Sequence, residues 1–88
     1  MYAKRTDSNQ AEVIAALRKI GATVYVIGLP VDLLVGYRRK GVSRSICLEV
    51  KAPGGRLTDV QREFFSTFKG EAYIVHGVSD ALKAVRGQ

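Results

Sequence analysis

The sequence predicts an α/β fold: a small mixed β-sheet with flanking helices, in the order α-β-β-β-α-β-α. Three observations predict it. Apolar residues recur at helical spacing near the start of the chain. Three β-branched runs follow, separated by turn residues. A capped second helix then precedes one more short apolar run. At 88 residues the chain is read as one domain, 1–88.

Residues 1–6 read as a basic, mobile arm. The first helix is expected from Ser8 to Ile20, capped by Asp7, Ser8 or Asn9, with Val13, Ala16, Leu17 and Ile20 as its apolar stripe. Arg18 and Lys19 suit the negative end of its dipole, and Gly21 stops it. Residues 22–27 are rich in β-branched side chains and predict a strand. Gly28-Leu29-Pro30 ends it. Pro30–Tyr37 and Ser45–Lys51 predict two more strands, with Arg38-Arg39-Lys40-Gly41 as the turn between them. Pro53-Gly54-Gly55 breaks the third strand. Thr58 and Gln61 have capping-box spacing and open a helix through Phe68 with Val60, Phe64 and Phe68 as its buried face. Ala72–Val75 predicts the last strand, and Ser79 or Asp80 caps a final helix, Ala81–Val85. The first three strands can run as a meander. The crossover helix allows the last to pair in parallel.

Lys and Arg number 14 against 8 Asp and Glu, a net charge of +6, and the isoelectric point is near 9.8. That balance favours a polyanionic partner, most simply nucleic acid. Hydrophobic residues make up 47% of the chain, high for a domain with so thin a core, and burial against a second copy would use the surplus. The lone Cys47 excludes an internal disulfide and fits a reducing, cytoplasmic setting. No apolar segment follows the first charges as a secretory signal would require, and no run reaches membrane-helix length.

The most informative feature lies on the central hairpin. With the turn centred between Lys40 and Gly41, opposed residues have an index sum of 81, which sets Asp32 opposite Glu49. Alternation puts Asp32, Leu34 and Gly36 on one face of their strand, and Cys47, Glu49 and Lys51 on one face of theirs. Like charges directly opposite destabilise a sheet, and charges on apolar strands need pairing or coordination. A strand-end salt bridge of Lys51 with Glu49 or Asp32 answers part of this. A divalent cation answers all of it, since Mg²⁺ takes one or two carboxylates with phosphate and water.

The run Pro30-Val31-Asp32, then Glu49-Val50-Lys51, resembles the PD-(D/E)XK nuclease superfamily, whose restriction-endonuclease-like core has this element order. More narrowly, Asp32–Tyr37, Leu48–Lys51 and Leu57-Thr58-x-x-Gln61-x-x-Phe64 are similar to the small stand-alone virus-type replication-repair (VRR-NUC) nucleases of phages and bacteria, over residues 7–85. The resemblance implies a Mg²⁺- or Mn²⁺-dependent endodeoxyribonuclease acting on branched or duplex DNA, Holliday junctions first, in DNA repair. It implies Asp32 and Glu49 as metal ligands, the Val50 carbonyl as a backbone ligand, Lys51 as catalytic lysine, and Gln61 as the glutamine of the following helix. Glu12 is the candidate for the acidic residue of the first helix, which in relatives helps bind metal or water. A homodimer and a cytoplasmic location in a bacterial or phage-infected cell go with it; a membrane and an organic cofactor do not. Val31 is a departure, since proline usually directly precedes the aspartate; a bulge or a different loop entry is expected there. A catalytically inert DNA-binding or assembly subunit with the same fold is the rival reading, and an RNA-directed nuclease the third.

Other residues carry less. His76, the single histidine, reads as a solvated strand-end residue. With one His and one Cys, neither a zinc site nor a Ser-His-Asp set is indicated. Gly54-Gly55 lacks the Gly-Lys-Ser/Thr of a phosphate loop. Gln61 has two compatible readings, a helix cap and a contact to phosphate, water or Lys51. Arg38, Arg39, Lys40 and Arg44 cluster at the far end of the hairpin, placed for a distal part of a long substrate.

Overall fold

A computed structural model describes residues 8–87. The basic arm and the Asp7 cap lie outside the described residues. The order is α1 (Ser8–Lys19), β1 (Thr23–Val26), β2 (Leu33–Arg39), β3 (Val42–Val50), α2 (Asp59–Thr67), β4 (Glu71–Val75) and α3 (Val78–Arg86), the mixed α/β arrangement expected from the sequence. The sheet runs β1-β2-β3-β4 in space, antiparallel through β3, with β4 parallel to β3. A parallel neighbour needs a crossover, and α2 with its flanking loops supplies it.

Period-2 alternation builds the core. Val24, Leu33, Val35, Ile46, Leu48, Val50 and Val75 face one way, where Val13 and Leu17 of α1 and Ala81 and Val85 of α3 close over them. The two helices also pack on each other. Burial of side chains this size stabilises by about 1.5–3 kcal/mol each, so this single layer carries most of the stability. Among the described residues, no helix is long and apolar enough to cross a membrane.

The opposite face is open. Tyr25 and Leu34 are exposed there, 61% and 38%, so the α1–α3 layer covers the central strands on the other side only. α2 buries no residue completely. Val60 and Phe68, expected inside, are exposed, and Phe64 stacks on Phe68 with ring centroids 4.6 Å apart. The apolar arc of α2 is real, but one chain offers it little to pack against. Phe68 is the C-cap rather than the last helical residue.

The hairpin turn is tighter than the four residues expected. Lys40 and Gly41 alone form it, both with positive φ (53° and 80°), the two-residue geometry that matches strand twist. Arg38 and Arg39 therefore belong to β2. At α3 the cap also differs. Gly77 is the N-cap without a side-chain bond, and the helix starts at Val78. Asp80 instead accepts the His76 N–H (3.0 Å).

Candidate metal centre

The β2–β3 register has the index sum of 81, from Leu33–Leu48 to Arg39–Val42. Extended by one step it places Asp32 beside Glu49. The two are joined by reciprocal bonds. Asp32 N–H donates to Glu49 Oε1 (3.1 Å), and Val50 N–H donates to Asp32 Oδ2 (2.9 Å). Each carboxylate is thus aimed by the main chain of the other strand.

Val31 explains the entry to this site. It is fully buried in the core, while Asp32 precedes β2 and turns to the other face. The Asp32 carbonyl accepts from both Ile27 N–H (2.9 Å) and Gly28 N–H (3.2 Å), which closes the loop leading in.

Glu49 is 2% exposed and Asp32 8%. Burial, then the neighbouring Asp32 charge, push the Glu49 carboxyl above the ordinary carboxylate value, against the opposing pull of Lys51. Lys51 Nζ lies 3.4 Å from Glu49 Oε2. Gln61 Nε2 donates to that same oxygen (2.8 Å). Gln61 also completes the capping box: its Oε1 accepts Thr58 N–H (2.9 Å), and its own N–H donates to Thr58 Oγ1 (3.2 Å). The helix-cap reading of Gln61 therefore holds, and its amide nitrogen meets Glu49 rather than Lys51. Since Glu49 points away from the core layer, the start of α2 lies on the open face of the sheet.

These groups open onto a cleft of about 490 Å³ that Lys51, Arg56, Gly55 and Pro30 also line. Glu12 is exposed on α1 and does not line it; from that helix the lining residue is Gln10. They are two positions apart, nearly opposite directions on a helix, and the sequence alone does not give the rotation of α1 over the sheet. His76 is exposed just past the end of β4, as expected, but its contact with Lys51 was not anticipated. Its Nδ1 lies 2.9 Å from the Lys51 carbonyl, while Lys51 N–H donates to Val75 O (2.9 Å). The lysine backbone is held on both sides by the end of β4.

The donor set suits a hard divalent cation. Asp32 and Glu49 bring carboxylate oxygens. Val50, whose N–H points toward Asp32, directs its carbonyl to that same side of β3. Asp32 Oδ1 carries no bond among the described residues, and no buried side-chain oxygen there is left without a partner, so Oδ1 reaches the cleft. No group of three or more His, Cys, Asp and Glu assembles among the described residues; a pair is what Mg²⁺ commonly takes, with water and phosphate completing the shell. Comparison with protein-family models, curated proteins and solved structures returned no match.

Thr58→Ala tests the link between cap and site. Losing an N-cap costs about 1 kcal/mol, and here it also frees Gln61 from Thr58. Faster amide exchange through residues 59–62 is expected, with little change in the core strands. Uniform exchange across the chain would contradict this local role.

Proposed function

We propose that this protein is a metal-dependent DNA endonuclease of the VRR-NUC type, hydrolysing phosphodiester bonds in branched DNA. The observation that carries the proposal is the buried Asp32–Glu49 pair, with Lys51 and Gln61 on one Glu49 oxygen at the wall of a cleft. Asp32, Glu49 and the Val50 carbonyl would hold Mg²⁺ or Mn²⁺, which supplies Lewis-acid activation of water and offsets phosphate charge.

The chain's own residues divide the remaining work. Lys51 presents an ammonium where it orients the attacking water and donates to the phosphoryl oxygens as negative charge develops. Gln61 fixes the Glu49 carboxylate through Oε2, and its own rotation is blocked by Thr58. His76 anchors the Lys51 main chain. Arg56, at the rim of the cleft, is placed for an adjacent phosphate.

Junction resolution needs two coordinated cuts and one chain carries one site, so the proposal includes a homodimer. Light scattering should give about twice the monomer mass. The direct test is cleavage of labelled four-way junctions with Mg²⁺ or Mn²⁺ against chelator. Metal-dependent cutting supports the proposal. Binding without cleavage under either metal supports the rival, an inert DNA-binding subunit. What favours that rival is the departure at Val31, which stands between Pro30 and Asp32.

A further inference from the structure

Charge is distributed unevenly along this molecule. The turn end of the β2–β3 hairpin carries Arg38 and Arg39 of β2 and Lys40 of the turn, all exposed, with Arg44 just inside it. α1 ends at the same end of the sheet, because β1 begins opposite Gly36 and only three residues separate it from Lys19. α3 ends there too: Arg44 donates to the Val85 and Ala84 carbonyls, which brings Arg86 alongside. β4 runs parallel to β3 and starts beside Ile46, so Lys69 lies toward this end as well. Glu71 is the acidic residue among the described ones here, and Arg44 pairs with it.

Local roles account for part of this. Arg18 donates to the Val24 carbonyl (3.0 Å), and basic residues suit helix C-termini. Arg38 Nε donates to the cross-strand Ser43 Oγ (3.0 Å), but no helix dipole acts on a hairpin and no carboxylate pairs with Arg38, Arg39 or Lys40 among the described residues. Nor do local roles account for a second, shallow cleft of about 320 Å³ beside them. Arg38 lines it with the hydroxyl residues Thr23, Ser43 and Ser45 and the backbone of Gly36; Arg44 borders it too, with its guanidinium turned to Glu71 and the Val85 and Ala84 carbonyls. Arginine, Ser/Thr hydroxyls and accessible backbone are the groups that contact phosphate and sugar.

Alternation relates this cleft to the metal centre. Asp32 and Arg38 are six residues apart, so they share a face, as Ser43 and Glu49 do. The two clefts therefore open on the same side of one hairpin, roughly 20 Å apart at the usual rise per strand residue. That is about six base pairs of B-DNA.

From this we infer that the turn end of the β2–β3 hairpin is a second DNA-contact site, holding the phosphate backbone of a duplex whose cleaved phosphate lies at the Asp32–Glu49 end. The inference deepens the nuclease reading and rests on it for the choice of DNA as the polyanion. It makes the hairpin a ruler: the enzyme needs duplex extending about six base pairs beyond the cut on one side. A membrane surface fits less well, because the turn presents Val42 alone as an exposed large apolar residue to insert.

The test compares two variants of the full chain that lower net charge equally. Arg38→Gln/Arg39→Gln removes two charges beside the turn; Arg62→Glu makes the same net change on α2, at a side chain 60% exposed. Binding to a duplex of about 16 base pairs is measured in chelator by fluorescence anisotropy across a salt series. The turn variant should lose roughly 10- to 100-fold in affinity near 0.1 M salt, and its log–log salt slope should fall by about 2. Arg62→Glu should move both far less. Equal losses in the two variants would reduce the effect to diffuse charge and overturn the inference, as would an unchanged turn variant. Loss of binding to anionic vesicles with duplex binding intact would also overturn it. Cleavage with an unchanged slope overturns this inference and leaves the nuclease reading standing. The expected slopes in a protein that cleaves with neither metal support the contact site and overturn the nuclease reading.

Discussion

Lys51→Ala is expected to lower metal-dependent cleavage by about 10²- to 10⁴-fold while leaving the fold in place. The fold should persist because the lysine main chain is held independently of its side chain, by Val75 and His76. The catalytic loss follows from position. The ammonium sits 3.4 Å from Glu49 Oε2, at the lip of the cleft, and its side chain is 21% exposed. On the proposed nuclease reading, a positive charge there would meet the charge that develops on the phosphoryl oxygens. Removing it also takes away the group that lowers the Glu49 pKa, so Glu49 should move still further above the ordinary value. Lys51→Arg restores charge but not reach or shape, and only partial activity is expected. Single-turnover cleavage of a labelled junction, with circular dichroism as the control for folding, measures both effects. Full activity in Lys51→Ala would remove the lysine from the mechanism.

Asp32→Asn should trade function for stability. Asparagine keeps an oxygen to accept the Val50 N–H, so the local geometry survives. What goes is one of two adjacent buried charges. Glu49 has its folded pKa raised, by burial first and by Asp32 second. For such a group, stability is fully present below the unfolded pKa and is lost as pH rises through the folded pKa. In metal-free wild type, raising the pH from about 4 toward neutrality should therefore lower stability through this residue. In Asp32→Asn the loss should be smaller, because the second cause is gone and the first remains. The metal-free variant is accordingly expected to melt at or above the wild-type temperature near pH 7. Metal reverses the ranking. A ligand at 100 times its Kd adds about 2.7 kcal/mol, roughly 10–20 °C for a domain of this size. Wild type should gain this on adding Mn²⁺, and the variant little of it, with cleavage down by at least about 10²-fold. Thermal melts at pH 5 and 7.5, with and without Mn²⁺, read all of these signs. Equal Mn²⁺ shifts in both proteins would take Asp32 out of the ligand set.

The legible parts of this molecule were those governed by local alternation. Leu33, Val35, Ile46 and Leu48 alternate strictly, and the position of Lys40-Gly41 sets the register, so the meeting of Asp32 with Glu49 could be read from index arithmetic. The capping box was legible for the same reason: Thr58 and Gln61 are three residues apart and answer to each other. Features that depend on which face meets which layer were not. The apolar arc of Val60, Phe64 and Phe68 promised a buried helix, yet α2 lies on the open side of the sheet. Glu12 and Gln10 differ only in helix rotation, and no sequence signal distinguishes them. His76 lies 25 residues from Lys51, and their contact exists because β4 pairs in parallel with β3. The one hint was that both follow a β-branched strand end in a fold with a crossover helix.

The central claim is that Asp32 and Glu49 form a divalent-cation site. The most direct measurement is anomalous diffraction from crystals soaked in Mn²⁺. A peak between the Asp32 and Glu49 carboxylates, within about 2.0–2.3 Å of an oxygen from each and near the Val50 carbonyl, is the predicted result. Well-ordered carboxylates with no anomalous peak between them at saturating Mn²⁺ would contradict it.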